Sequence, residues 1–90
     1  MAGTLLIIDD SSTMRRIVKR TVRMSGLSFD TTLEAESGEE GFEKISANPV
    51  TVVLCDVNME GMTGIEMVKK VRDELPERQA TRIIMVTTER

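Results

Sequence analysis

Short apolar runs alternate with longer amphipathic segments along the chain, and this alternation restricts the fold more than any other feature. Residues 4–8 and 51–55 are largely apolar runs of strand length, which is typical of strands buried on both faces of a sheet. Residues 82–87 form a third such run, and residues 29–35 form a more polar strand that suits a sheet edge. The order β-α-β-α-β-α-β predicts an α/β domain with a parallel sheet and helices on both faces.

The amphipathic segments carry start and stop signals for three helices. The serines at 11–12 and the Ser-x-x-Glu sequence at 37–40 are suited to cap helix N-termini, and Gly26 suits a helix end. The third helix follows a loop at residues 58–64 and stops at Pro76. Ninety residues without an internal repeat or a linker predict one domain with a modest core.

Composition argues against several classes of function. The net charge of −3 at pH 7 and the presence of only two aromatic residues, Phe29 and Phe42, argue against binding to nucleic acid. No apolar run is long enough to span a membrane, and the single cysteine, Cys55, suits a reducing compartment, so we expect a cytoplasmic protein without membrane contact. Because the chain has no histidine, any chemistry must rest on carboxylates, hydroxyls, lysines and arginines.

Three aspartates stand at the carboxyl ends of two apolar strands: Asp9 and Asp10 follow residues 4–8, and Asp56 follows residues 51–55. Ligands of open α/β sheets bind at these ends. If the two strands are neighbours, the carboxylates converge, and two of them within about 5 Å repel by on the order of 3 kcal/mol at an effective dielectric constant near 20. Such a cluster suits a hard cation such as Mg²⁺, and a carboxylate can also accept a phosphoryl group. The acidic pair alone could simply favour the N-terminus of the first helix, but Asp56 makes a functional interpretation the better one.

Three motifs resemble those of the receiver (phosphoacceptor) domain of bacterial response regulators. Residues 7–16, IIDDSSTMRR, resemble the acidic-pair motif that opens such a domain. Residues 54–59, LCDVNM, followed by MTG at 62–64, resemble its phosphoacceptor motif, and residues 83–87, IIMVT, resemble the strand that ends in its switch hydroxyl. The resemblance extends over residues 4–90, with the motifs in the correct order. The chain is most similar to the single-domain chemotaxis type.

The resemblance implies a flavodoxin-like, doubly wound parallel sheet with the strand order 2-1-3-4. It also implies that residues 1–90 form a C-terminally incomplete receiver domain, truncated after the fourth strand and lacking the last helix, strand and helix of the family. The family's lysine at the end of the fifth strand would then be missing as well. We therefore expect self-association through an exposed fourth strand, residues 83–86, and through an uncovered sheet face.

The same resemblance assigns roles to site residues. Asp56 would accept a phosphoryl group from a sensor histidine kinase, and Thr87 would supply the switch hydroxyl. Asn58 and Glu89 occupy positions that tune self-dephosphorylation in this family. The implied function is two-component signal transduction, in which phosphorylation switches partner binding. The chain would not be an enzyme beyond its own phosphorylation and dephosphorylation.

The cofactor and partners also follow from the resemblance. It implies a Mg²⁺ ion held by Asp10, Asp56 and the backbone carbonyl of Asn58, with Asp9 acting largely through a metal-bound water. The implied partners are the kinase and a downstream protein such as a flagellar motor component. Two positions depart from the family pattern: Glu60 stands where a proline is usual, and Thr88 where a small residue is usual.

Other interpretations remain open beside this one. A flavin-binding electron carrier has the same strand order, but it needs a hydroxyl- and glycine-rich phosphate loop where this chain is acidic. An aspartate-nucleophile phosphatase would have a second aspartate at the position of Asn58. A receiver fragment that does not signal could act as a folding or self-assembly module. The basic residues within 15–23 are more often a solvated helix face than a docking surface for an acidic partner.

Overall fold

A computed structural model describes residues 3–86 of the chain. The four strands in this range are β1 (Thr4–Ile8), β2 (Thr31–Ala35), β3 (Val52–Asp56) and β4 (Arg82–Val86). The three α-helices are α1 (Ser12–Met24), α2 (Gly38–Ala47) and α3 (Gly64–Glu74), and a short 3-10 helix, Pro76–Arg78, follows α3. The strands form one parallel sheet in the order β2-β1-β3-β4, which confirms the predicted α/β fold and the order 2-1-3-4.

Strand register explains where two boundaries differ from the sequence-based expectation. Strand β2 begins at Thr31 rather than at position 29, because Thr31 pairs with Thr4, the first residue of β1, and earlier residues have no strand partner. Strand β3 extends to Asp56, because that residue pairs with Val86 of β4. Asp56 is therefore part of the sheet and not of the loop that follows it.

The main core lies between one sheet face and the helices α2 and α3. Buried side chains of β1 and β3 on this face pack against buried side chains of the two helices; they include Leu6, Ile8, Val53, Cys55, Ile45, Met67 and Val71. Helix α2 approaches β1 so closely that a Cβ at Gly41 would clash with the Ile8 side chain. This contact fixes α2 beside the carboxyl end of β1.

The opposite sheet face carries only α1 within residues 3–86, and it is less enclosed. Leu5 and Ile7 of β1 are buried, yet no residue of α1 is buried. Ile17 of α1 and Ile84 of β4 are each 50% exposed. The long β1 side chains are thus covered, while the β4 side of this face stays open to solvent.

None of the helices among residues 3–86 is long and apolar enough to cross a membrane.

Candidate functional site

The three aspartates meet at one edge of the sheet. Asp9 and Asp10 follow β1, Asp56 ends β3, and these strands are hydrogen-bonded neighbours with Ile8 opposite Cys55. Carboxylate oxygens of Asp9, Asp10 and Asp56 all lie within 4.8 Å of one another. Asp9 and Asp56 are buried, at 3% and 2% exposure, whereas Asp10 is exposed. The structure therefore brings together the carboxylates that were expected to converge if β1 and β3 were neighbours.

Backbone amides hold two of these carboxylates in place. The N–H of Ser11 donates to Oδ1 of Asp9 at 2.9 Å, and the N–H of Asn58 donates to Oδ1 of Asp56 at 3.3 Å. The Ser11 hydroxyl in turn accepts from the N–H of Met14 at 3.2 Å and caps α1, as the serines at this position predicted. The start of α1 and the orientation of the Asp9 carboxylate are thus set by the same short turn.

A second set of contacts joins α1 to strand β2 beside the acidic pair. Nη1 of Arg15 donates to the carbonyl oxygen of Asp9 at 2.5 Å, and its Nε donates to Oε1 of Glu34 at 3.0 Å. Nζ of Lys19 donates to Oε2 of Glu34 at 3.3 Å. The hydrogen bond from Arg15 lowers the pKa of Glu34 below its ordinary value of 4.5; partial burial opposes this shift, and Lys19 adds to it.

The loop after Asp56 is anchored where α3 begins. The Thr63 hydroxyl accepts from the N–H of Glu66 at 3.2 Å, and the Glu66 carboxylate accepts from the N–H of Thr63 at 3.1 Å. These two bonds form a capping box. Hydrogen bonding of the Glu66 carboxylate to the Thr63 backbone N–H, and then to the Thr63 side chain, lowers the pKa of Glu66. Within the loop that joins Asp56 to Thr63, Met59 is buried, while Asn58 and Glu60 are exposed.

The negative charge of the cluster is visible at Cys55, which lies in β3 just before Asp56. Burial raises the pKa of the Cys55 thiol to about 12, and the nearby charges of Asp56 and Asp9 contribute to the increase. The thiol is fully buried and donates to the carbonyl of Asp56 at 3.4 Å. Its side chain belongs to the main core between the sheet and the helices α2 and α3.

Comparison with known proteins identifies this arrangement. The sequence matches the family described as the response regulator receiver domain over residues 5–90. The chain belongs to this family. Among curated relatives of this receiver domain, the chemotaxis protein CheY1 of Helicobacter pylori is 50% identical over 86 residues, covering 94% of this chain and 67% of the relative. The chemotaxis protein CheY homolog of Campylobacter jejuni is also 50% identical over 86 residues, covering 94% of this chain and 64% of the relative.

Solved structures agree with the sequence comparison. The Vibrio cholerae chemotaxis protein CheY4 matches the receiver domain with a TM-score of 0.78 at 36% identity, covering 100% of this chain and 72% of that chain. A response regulator receiver protein from Pseudomonas putida, at 20% identity and a TM-score of 0.80, shares the fold. The chain spans about two thirds of the length of the curated relatives it matches.

Family membership establishes the general class of function. The receiver domain belongs to two-component signalling, and the predicted similarity to chemotaxis-type response regulators is confirmed. Such response regulators are generally signalling proteins rather than enzymes. Receiver domains bind Mg²⁺ through acidic residues, and the all-oxygen donor set of Asp9, Asp10 and Asp56 fits a hard divalent cation.

Some predicted site residues lie outside the part of the receiver domain that the structure describes. These residues are Thr87 and Glu89, and Thr88, which departs from the family pattern, also lies outside this part. Strand β4 leads toward them and ends at Val86, whose carbonyl accepts from the N–H of Val57 at 3.2 Å. The end of β4 therefore lies at the same sheet edge as Asp56, and the roles of Thr87 and Glu89 stay predictions.

Sequence reasoning missed the contacts of Arg15 and Glu34. Arg15 was interpreted as one member of a basic run on a solvated helix face, and Glu34 received no role. Their bond joins residues 19 positions apart, which helical periodicity cannot indicate. The one available signal is that Arg15 and Lys19 lie four residues apart on one face of α1, so that both can meet one carboxylate.

Proposed function

We propose that this receiver domain accepts a phosphoryl group on Asp56 from the phosphohistidine of a sensor histidine kinase. A carboxylate oxygen of Asp56 attacks phosphorus, a P–O bond forms, and the P–N bond to the histidine breaks with its electron pair moving to the ring nitrogen. The observation that carries the proposal is the meeting of three carboxylates, from two neighbouring strands, within 4.8 Å at the carboxyl edge of the sheet. Phosphorylation would then switch which partner protein the domain binds.

The chain's own residues would orient the acceptor. Asp56 is held by the pairing of β3 with both β1 and β4, and the N–H of Asn58 fixes the rotation of its carboxylate. We propose that Asp10, Asp56 and the backbone carbonyl of Asn58 hold Mg²⁺ directly and that Asp9 acts through a bound water. When bound, Mg²⁺ supplies positive charge that offsets the charge of the phosphoryl group.

The switch and tuning roles are proposed by similarity to the family. Thr87 follows the last described residue of β4, and the edge position of Val86 beside Asp56 supports a hydroxyl there that contacts the phosphoryl group. Asn58 is exposed beside Asp56, which suits a residue that controls water access during dephosphorylation. Glu89 would act with it. We propose a cytoplasmic location and, because the relatives are chemotaxis proteins, a flagellar motor component as the output partner.

Intact mass spectrometry tests the phosphoacceptor. The receiver domain is incubated with acetyl phosphate, with Mg²⁺ or with EDTA, and we expect a mass gain of one phosphoryl group only with Mg²⁺. Asp56→Asn should abolish the gain. Asp30→Asn is the matched control, because Asp30 precedes β2 at the opposite end of the sheet and contacts Gly3. Phosphate on Asp56→Asn, or none on the wild-type protein, would refute the assignment.

A second candidate function is self-association, which the exposed apolar side chains on the α1 face favour. Ile17 and Ile84 are each 50% exposed on this face, and Arg82 of β4 is exposed as well. Pairing of two copies through β4 and this sheet face would bury them. Sedimentation equilibrium distinguishes a monomer of 10.0 kDa from a dimer.

A further inference from the structure

Arg15 is unusually enclosed for an arginine on a helix without buried residues. Its side chain is only 14% exposed, although no residue of α1 counts as buried and the neighbouring Arg16 is exposed. Arginine side chains are rarely enclosed unless their donors are paired. Here the guanidinium reaches back from α1 and meets the carbonyl of Asp9 and the carboxylate of Glu34 at the same time.

These contacts act on the backbone between the two aspartates. The carbonyl oxygen of Asp9 belongs to the planar peptide group that links Asp9 to Asp10, so a bond to this oxygen restrains the start of Asp10 as well. The N–H of Asp9 donates to the carbonyl of Ala35 at 3.0 Å, and its carboxylate accepts from Ser11. The acidic pair is therefore fixed by bonds to α1, to the following turn and to β2.

Glu34 gives the guanidinium a defined direction. It precedes Ala35 in β2, so the two residues that anchor Asp9 and Arg15 are adjacent in one strand. Arginine has a rigid planar group of donors that can meet two acceptors, whereas a lysine ammonium at the same position is a compact charge on a flexible stem. Lys19 contacts Glu34 but is not bonded to Asp9, and its side chain is 38% exposed.

We propose that Arg15, held by Glu34, is a positioning residue for the cation site: it fixes the peptide that presents the Asp10 carboxylate. This inference rests on the proposed Mg²⁺ site. The fixed peptide keeps Asp10 close to Asp56, so the carboxylates need no rearrangement when the cation binds. Arg15 acts through the backbone and touches neither the cation nor the phosphoryl group.

Reciprocal substitutions separate geometry from charge. Arg15→Lys and Lys19→Arg both preserve the net charge, but only the first removes the planar group that spans Asp9 and Glu34. We expect Arg15→Lys to raise the Mg²⁺ dissociation constant about tenfold, measured by amide shifts, as is typical when a residue that orients a metal ligand is changed. Lys19→Arg should stay within about twofold of the wild-type protein, since Lys19 is not bonded to Asp9 and its pair with Glu34 is partly exposed.

The rate of Asp56 labelling by acetyl phosphate provides a readout that a loss of stability would not reproduce. In Arg15→Lys the Mg²⁺ concentration for half-maximal rate should rise with the dissociation constant, while the rate at saturating Mg²⁺ stays within about twofold. Glu34→Ala removes the acceptor in β2 that holds Arg15, and it should therefore change the Mg²⁺ midpoint in the same direction. A lower maximal rate with an unchanged Mg²⁺ midpoint would overturn the inference.

Amide hydrogen exchange without Mg²⁺ keeps this inference distinct from the proposed function. We expect faster exchange at Asp10 and Ser11 in Arg15→Lys than in the wild-type protein or in Lys19→Arg. If the wild-type protein neither binds Mg²⁺ nor labels with acetyl phosphate, the proposed function fails, and the positioning role for a cation fails with it. If it does both, and Arg15→Lys matches it in Mg²⁺ midpoint and in exchange, the positioning role alone is wrong.

Discussion

Gly64, the first residue of α3, packs directly against the backbone of Asp56: a Cβ at position 64 would lie 2.6 Å from the Asp56 carbonyl oxygen. It would also lie 3.2 Å from Sγ of Cys55. A side chain at this position would have to displace either α3 or the end of β3. The start of α3 therefore packs against the backbone of the proposed phosphoacceptor, and it can approach this closely only because residue 64 has no side chain.

We expect Gly64→Ala to destabilise the domain by about 1–3 kcal/mol, because the added methyl group forces backbone apart in a close-packed region. Urea unfolding measures the loss. Amide shifts should move at residues 55–59, since the displaced atoms adjoin Asp56. Gly26→Ala is the control: Gly26 has a φ of 90° and no atoms near its Cβ position, so its substitution strains only the local backbone. Equal shifts near Asp56 in both variants would contradict this explanation.

Charge removal from the acidic cluster should have opposite effects with and without a cation. In EDTA we expect Asp10→Asn to stabilise the domain by about 1 kcal/mol, because one repulsive partner of Asp9 and Asp56 is lost. In Mg²⁺ the wild-type protein should gain stability by mass action and the variant should gain less. Thermal unfolding under both conditions measures the two effects. Asp30→Asn also removes one charge, and the change in stability that it causes should be the same in EDTA and in Mg²⁺. If Asp10→Asn were less stable than the wild-type protein in EDTA, this would argue against repulsion.

The buried thiol of Cys55 should make stability depend on alkaline pH. Its pKa in the folded protein is about 12, raised from an ordinary value of 9.0, so the unfolded chain loses this proton first as pH rises. The contribution of the protonated thiol to the free energy of unfolding is fully present below pH 9. Above pH 9 it declines, by up to about 1.4 kcal/mol per pH unit. We expect the free energy of unfolding between pH 9 and pH 10.5 to fall more steeply for the wild-type protein than for Cys55→Ala. Equal slopes would show that the thiol is more accessible than its burial indicates.

Substitution at Ile84 tests self-association through the open sheet face. If two copies bury this face, Ile84→Lys should shift the sedimentation equilibrium toward monomer, because a charge would enter an apolar contact. Ile65→Lys is a matched control: Ile65 lies on α3 at the other side of the sheet and is 66% exposed. A monomeric wild-type protein at high concentration would exclude the second candidate function and leave the phosphoacceptor proposal unaffected.

The sequence was most informative for a strand whose side chains are buried on both faces of the sheet. Strand β1 could be predicted from its apolar run because Leu5 to Ile8 are all buried, and that assignment placed Asp9 and Asp10 at the sheet edge. The strand order, by contrast, came from the resemblance of the motifs, since periodicity does not show which strands are neighbours. The start of β2 depended on its pairing with Thr4, which is a tertiary relationship.

Local signals and distant contacts differed in the same way at the site. The capping box of Thr63 and Glu66 has a short sequence signature, Thr-x-x-Glu, and could have been predicted from it. Away from the site, the bond from Nε of Arg78 to the carbonyl of Ile45, at 2.8 Å, joins residues 33 positions apart and has no such signature. The contact between Arg15 and Glu34 is of this second kind, because side-chain direction and the spacing of α1 from β2 both depend on the assembled sheet.

The position of β1 inside the sheet determines how the site responds to thermal opening. Amides of a strand that is paired on both sides exchange with solvent only when large parts of a domain open, whereas edge strands fray in smaller events. Since β1 lies between β2 and β3 and Leu6 is fully buried, the acidic pair is attached to the segment expected to open last. Detachment of β4 would remove a neighbour of Asp56, yet it would leave Asp9, Asp10 and Asp56 on strands that are still paired with each other. The relative placement of the three carboxylates should therefore persist in states that have already lost the β4 side of the sheet.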